Sequence, residues 1–398
     1  MPQRPTVRQV FWIFLRLGLT SFGGPVAHLG YYRQEFVERR RWLGEGQYGD
    51  LVALCQFLPG PASTQVAMGI GALSRGVAGS VAAWAGFSLP SAAAMIAFAY
   101  GLSAWADHTP AGLLRGLKVV AVAVVAQAVW GMGRSFCPER LRASLALLAA
   151  AGLTLWPGTL GQIAALVGGG AVGWALLRGP RPPGGPHGPA WSFRRRMLAP
   201  VLLLAFAGLL AGLPLLAAGD APAAVGLADR FYRAGSLVFG GGHVVLPLLE
   251  AEVVPPGLVE REAFLAGYGA AQALPGPLFT FSGYLGALIG PGMGWAPWAA
   301  GLLALVSIFL PSWLLILGVL PFWDAMRRLP ALQAAMDGVK AAVVGILLAA
   351  LYDPVWRAAM HDGRDLALAL AAFTLLYWWK APAWLVVLLA AGAGALLL

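Results

Sequence analysis

One stretch occurs twice in this chain, and it limits the fold more than any other feature. Gln56-Phe57-Leu58-Pro59-Gly60-Pro61-Ala62-Ser63-Thr64 returns as Gln272-Ala273-Leu274-Pro275-Gly276-Pro277-Leu278-Phe279-Thr280, each copy in apolar surroundings. Proline cannot donate the helical hydrogen bond and pushes the residue before it out of the α region, while glycine absorbs the bend. The trailing proline suits the first position of a new helix. Each copy therefore reads as helix, break, helix, with the free N–H groups and the positive dipole end of the second helix exposed at the break.

Such breaks matter because of where they lie. Hydrophobic residues make up 59% of the 398 and charged residues 11%, and apolar segments recur at the ~17–25 residues that a helix needs to cross a bilayer. The chain reads as an all-α polytopic membrane protein with no soluble domain. The basic, apolar N-terminus reads as part of the fold and not as a cleaved signal. The net charge of +10 is explained by the loop charge that orients inner-membrane proteins, and its scatter between spans argues against nucleic-acid binding. Cys55 and Cys137 have no metal-ligand or disulfide spacing, and no metal or cofactor is expected.

The duplication extends beyond Pro-Gly-Pro. Arg16 precedes Phe22-Gly23-Gly24-Pro25 as Arg233 precedes Phe239-Gly240-Gly241-Gly242. Leu89-Pro90-Ser91 matches Leu310-Pro311-Ser312, and Gly116-Leu117-Lys118 matches Gly338-Val339-Lys340. The loop after the first Gly-Gly motif carries Arg33, Arg39, Arg40 and Arg41, whereas its counterpart carries Glu250, Glu252, Glu260 and Glu262 beside Arg261. By the positive-inside rule these loops lie on opposite sides, so the halves form an inverted-topology repeat. The expected divisions are an N-terminal repeat (1–178), a Pro/Gly-rich basic cytoplasmic loop (179–196), a linking transmembrane helix (197–218) and a C-terminal repeat (219–398). Each half should begin with two re-entrant hairpins, turning at Phe-Gly-Gly and Pro-Gly-Pro. Four spans come after them, near 77–101, 112–133, 142–156 and 158–178, then near 296–320, 331–352, 365–379 and 382–398.

Five basic residues fall at membrane depth, where each costs about 2.5–3.5 kcal/mol or more without a partner: Arg16, Arg233, Lys118, Lys340 and Arg115. The first four are repeat-matched, and Arg115 stands opposite Asp337. Snorkelling is one reading of them; selection of a doubly charged anion, through the planar fork of arginine donors, is the other. Gly23, Gly24, Gly240 and Gly241 would let backbone N–H groups approach a ligand, with Phe22 and Phe239 beside them. Gln56 and Gln272 could bind an oxyanion or brace the freed carbonyls. Gly60 and Gly276 shape the breaks, and Ser63, Thr64 and Thr280 could cap the following helix or face the ligand. His28, His243 and Asp337 are candidates to carry a coupling proton, with hydrogen-bonded structural roles as the alternative for the histidines.

Phe22-Gly23-Gly24-Pro25-x-x-His28, the two Gln-x-x-Pro-Gly-Pro motifs and Phe239-Gly240-Gly241-Gly242 resemble the signature of the chromate ion transporter family in its two-domain form. The resemblance implies a multi-pass carrier of the bacterial cell inner membrane that exports chromate, is driven by the proton motive force and confers chromate resistance. Sulfate is the natural look-alike. Uptake of sulfate or another oxyanion, and an anion channel, remain the alternatives, and a homodimer is left open. Catalysis is not expected, since no acid pair, His/Asp cluster or metal spacing lies at membrane depth.

Overall fold

The computed structural model describes residues 5–22, 24–104, 111–177, 193–219, 222–239, 242–326 and 329–397, and the regular structure among them is helical. The first half comprises α1 (Val7–Thr20), α2 (Gly24–Tyr32), α3 (Glu45–Phe57), α4 (Ala62–Ala104), α5 (Ala111–Phe136), α6 (Arg140–Leu155) and α7 (Thr159–Leu176). Next comes α8 (Phe193–Ala217), which has no counterpart in the first half. The second half follows as α9 (Ala223–Leu237), α10 (Val245–Val253), α11 (Arg261–Ala271), α12 (Phe281–Ile289), α13 (Pro297–Val319), the short α14 (Trp323–Met326), α15 (Pro330–Ala350), the short α16 (Arg357–Ala359), α17 (Gly363–Tyr377) and α18 (Ala383–Leu397). Six helices (α4, α5, α7, α8, α13 and α15) are long and apolar enough to cross a membrane. The shorter α6 and α17, with 16 and 15 residues, reach only about 22–24 Å at 1.5 Å per residue.

All four expected turns are hairpins and not bends in continuous spans, because the segments before and after each break touch. About Phe22-Gly23-Gly24, Phe14 packs on Tyr32 and stacks on Phe36 with ring centroids 4.9 Å apart. About the first Pro-Gly-Pro, a Cβ on Gly69 would stand 2.5 Å from Leu51 Cδ1. In the second half Arg230 reaches from α9 to the Glu252 carbonyl on α10 at 2.9 Å, and the Tyr284 hydroxyl on α12 donates to the Ala263 carbonyl on α11 at 2.8 Å. The limb of α4 after Pro61 is a helix of its own. Non-helical Arg75 and Gly76 (φ 64°) end it, and the chain doubles back so that Gly71 meets Gly79. The rest of α4, 77–104, is the first full crossing.

The two halves exchange their last helix pairs. The helices α6 and α7 pack on α15 of the other half, while α17 and α18 pack on α5. Both contacts are closed by glycine, which lets helix backbones approach as they do inside membranes. Gly338 lies against Gly169 and Gly173, and Gly394 lies against Gly112 and Gly116. Gly116 and Gly338 are the repeat-matched glycines preceding Lys118 and Lys340, so that shared motif marks a packing seam.

Charges pin the same exchange. The Arg115 guanidinium holds Asp362 and Asp365 at the start of α17, each at 2.8 Å, and Asp365 is fully buried. The hydrogen bond from Arg115, with the backbone N–H groups of Asp365 and Arg364, keeps the Asp362 carboxyl below the usual aspartate range. In the mirrored position Arg142 of α6 bonds Asp337 of α15 at 2.8 Å. Asp337 thus neutralises Arg142 and, at 3.6 Å, Lys340. It does not neutralise Arg115, which the sequence made its other candidate partner.

Substitution at the seam has a measurable cost. Gly338→Val forces α15 off α7 and should cost at least about 1–3 kcal/mol, read as a lower melting temperature and an aggregated profile in detergent. Arg115→Ala leaves buried Asp365 without its cation and should cost about 3–5 kcal/mol. Adding Asp365→Asn should return part of that stability.

Candidate functional site

The four hairpin tips interlock at the centre of the molecule. The Gly60 N–H of one half donates to the Val238 carbonyl of the other at 2.6 Å, and the Gly276 N–H donates to the Ser21 carbonyl at 3.2 Å. Val238 and Ser21 are repeat-matched residues, each immediately before the Phe of a Gly-Gly turn. The two bonds are therefore one interaction made twice across a pseudo-two-fold axis. On that axis a Cβ on Gly242 would be 3.6 Å from Pro25 Cγ.

Glycine is required at both crossings. Gly60 has φ +122° and Gly276 φ +97°, values that side-chain-bearing residues rarely adopt. A Cβ at Gly60 would also sit 2.5 Å from Ser312 Oγ, and one at Gly276 would sit 2.9 Å from Ser91 Oγ. These serines are the ones in the repeated Leu-Pro-Ser motifs of α13 and α4. Each Pro-Gly-Pro break is thus seated against the opposite half's Leu-Pro-Ser.

The sequence-predicted residues separate into groups around this crossing. Ser63 and Thr64 are buried in the first turn of α4. His28 bridges two turns of its own half: Nε2 donates to the Ser21 carbonyl at 3.2 Å, which leaves Nδ1 to accept from Ser63 Oγ at 3.3 Å. His243 links to the Pro-Gly-Pro hairpin of its own half through Tyr268 Oη on α11, 2.9 Å away. Both histidines are thus hydrogen-bonded within the hairpin frame. Thr280, at the N-cap position of α12, makes no side-chain cap bond; its Oγ1 donates to the Pro277 carbonyl at 2.8 Å, in a 3₁₀ turn that delays α12 to Phe281. Phe22 packs near Trp384, and Phe239 is half-buried. Gly24 has φ +74°, whereas Gly23, Gly240 and Gly241 lie outside the described residues.

The two matched glutamines differ in setting: Gln56 is exposed, while Gln272 is half-buried beside Tyr268. The bracing considered for Gln56 is done by Gln65, whose Nε2 donates to the freed Pro59 carbonyl at 2.6 Å. Repeat matching overlooks Gln65 because its counterpart is Phe281. Several buried polar atoms near the crossing have no partner among the described residues, including Ser21 Oγ, Thr64 Oγ1, Ser88 Oγ and Gln272 Nε2. Each is a hydroxyl or amide that can donate, and buried groups of this kind are ordinarily paired.

The matched arginines lie away from the turns. Each lies on the entering leg of its hairpin, six residues before the Phe, or about 10 Å from the turn at the helical rise. The hairpins enter from opposite faces, so Arg16 lies toward the face bearing Arg39 to Arg41 and Arg233 toward the face bearing Glu260 and Glu262. Their partners also differ. Arg16 is exposed and, like Lys118, has no carboxylate partner among the described residues. Arg233 pairs with Asp229 on its own helix and lies 3.6 Å from Glu252 of α10. Glu250 and Glu252, which the sequence reading assigned to a loop, lie on α10, with Glu252 only 5% exposed. Among the described residues, the matched cations without a carboxylate partner, exposed Arg16 and half-buried Lys118, are thus both in the first half.

Paired re-entrant hairpins meeting at an inverted-repeat axis, with donors gathered at their tips, define a multi-pass membrane transport protein. The chain belongs to the chromate transporter family, which matches residues 8–174 and 225–395. It is 28% identical to a chromate transport protein of Pseudomonas aeruginosa, over 98% of this chain and 92% of that one. Identity to a chromate transport protein of Cupriavidus metallidurans is 27%, over 87% and 82%. Identity to a probable chromate transport protein of Synechococcus elongatus is also 27%, over 98% and 95%. No solved structure matches the chain.

Gly60→Ala tests the crossing. It should lose anion binding and lower stability by about 1–3 kcal/mol, measured by ligand binding and thermal melting in detergent. Adding Ser312→Ala removes one of the two clashing side chains but leaves Gln65 Nε2, also 2.5 Å away, and the positive φ, and should restore little.

Proposed function

We propose that this chain is a secondary transporter of the bacterial inner membrane that exports chromate and so confers chromate resistance. The observation that carries the reading is the doubled Gly60–Val238 and Gly276–Ser21 crossing, which brings two helix breaks and their unpaired donors together inside an inverted repeat. Ser63 and Thr64 at the start of α4, with Gln272 and the Gly-Gly turns, would bind the oxyanion. The face bearing Arg33 and Arg39 to Arg41 is then cytoplasmic. Arg16, with no carboxylate partner among the described residues, is the residue that captures the anion from that side, with Lys118 as a second cation.

Direction follows from charge. Each elementary charge moved across 100 mV is worth about 2.3 kcal/mol, so a dianion leaving a negative-inside cell gains about 4.6 kcal/mol per 100 mV. The electrical part of the proton motive force alone therefore favours export. Sulfate has the same charge and shape and is the expected competitor.

Inside-out membrane vesicles test this. Wild-type protein should accumulate labelled chromate under an interior-positive potential, and Arg16→Ala at equal expression should lose at least about tenfold of that rate. Accumulation of sulfate but not chromate, or of neither, would overturn the assignment.

A further inference from the structure

The two arginines of the repeat are in different states, and the difference lies in their glutamates. Glu252 on α10 has a repeat counterpart, Glu35, at the same distance after the first Gly-Gly turn. Glu35 turns away from Arg16: it accepts from Arg40 Nε at 2.6 Å and from Arg39 at 3.1 Å. Glu252 instead closes on its hairpin's other leg, 3.6 Å from Arg233 and 3.8 Å from Arg230. Asp229, which completes the masking of Arg233, has no acidic counterpart, since the matched residue is Trp12. One arginine stands open and the other covered.

Arg233 is not fully used by this arrangement. Its Nε is buried with no hydrogen-bond partner among the described residues, so its donor fork is engaged on one side only. A tetrahedral oxyanion fills such a fork with two adjacent oxygens, as a carboxylate does. Glu252 is therefore a like-charged competitor for the same donors.

Glu252 also lies close to the outside. A cavity of about 550 Å³ opens on the face opposite Arg39 to Arg41, lined in part by Gly158, Gln162, Glu250, Ala251, Arg261 and Asp353. Gly158 and Ala251 directly precede Thr159 and Glu252, and the Thr159 hydroxyl donates to Glu252 Oε1 at 3.1 Å. Gln162, 6% exposed, bonds the Pro247 carbonyl through Nε2 at 3.1 Å, and its buried Oε1 has no partner among the described residues. Glu252 is thus next to residues that line this cavity.

We propose that Glu252 holds, in this conformation, the place on Arg233 that the departing oxyanion takes in another. Arg233 is then a second, outward station for the substrate, masked by a protonatable carboxylate, and Glu35 is the parked equivalent for Arg16. Protonation of Glu252 uncovers the station. The groups facing Glu252 are Asp229, Arg230 and Arg233 from α9 and the neutral Thr159 and Gln162 from α7. His243, just before α10, is engaged with Tyr268; on α15, Asp337 and Lys340 pair with each other and Asp337 with Arg142. Glu250 faces Arg261 instead, at 3.7 Å.

The inference rests on the oxyanion-carrier reading, and the experiment separates the two. Chromate binding by the purified wild-type protein in nanodiscs at pH 8 tests the carrier reading: no binding there overturns that reading and this one together. Given binding, Glu252→Gln should bind chromate about tenfold more tightly at pH 8, where the wild-type carboxylate competes. The gain should vanish in Glu252→Gln/Arg233→Ala. Labelled sulfate, a dianion throughout this range, should itself bind wild type more tightly at pH 6 than at pH 8; Glu252→Gln should lose that dependence and Glu252→Asp should keep it. Asp229→Asn, which removes the second mask, should show a smaller gain and asks the same question if Glu252→Gln fails to accumulate. Unchanged or weaker binding by Glu252→Gln, or a gain that survives loss of Arg233, would overturn the proposal.

Discussion

Two backbone hydrogen bonds, from Gly60 to Val238 and from Gly276 to Ser21, determine where almost everything else in this molecule can be. A chain that stops its helices at membrane depth leaves peptide groups unpaired in a medium that supplies no water, and every such group must find a partner inside the protein. Here each broken half donates to the break of the other. Neither half could satisfy those groups alone, so the inverted repeat and the broken helices are one solution to one problem. The positive φ at both glycines and the serines packed against them follow from it.

The architecture was legible because it is written twice. Pro-Gly-Pro and Phe-Gly-Gly mark hairpin tips through the stiffness of proline and the freedom of glycine, and the reversal of loop charge marks inversion. The span expected near 112–133 lies within α5, and that near 331–352 follows α15 to within two residues of its end, since length and hydropathy alone locate a bilayer crossing. Pairing was not legible. The partners of Arg115, Asp362 and Asp365, lie about 250 residues away, and nothing in local sequence points to them. Gln65 was invisible to repeat matching because symmetry is broken at that position. Glu252 looked like a solvated loop charge, and only the folding of α10 against α9 buries it.

The site that results is less symmetric than the sequence implies. Matched arginines suggest a pocket with a guanidinium on either side, yet hairpins that enter from opposite faces put those groups at opposite mouths. Among the described residues, the central crossing offers hydroxyls, amides and helix starts. In the proposed transporter, neutral donors between one open arginine and one masked by carboxylates would hold a passing dianion without trapping it. Such a balance, favourable enough to admit and weak enough to release, is what permeation through any anion pathway demands.

The exchange of terminal helices bears on how such a protein can move. Because α6 and α7 are fastened to α15 while α17 and α18 are fastened to α5, by glycine contacts and by buried ion pairs, the two sequence repeats cannot rock against each other as rigid bodies. Any rigid unit must be a mosaic of both repeats, moving past the hairpin tips. The boundary that gene duplication left in the chain is therefore not the boundary along which the machine divides.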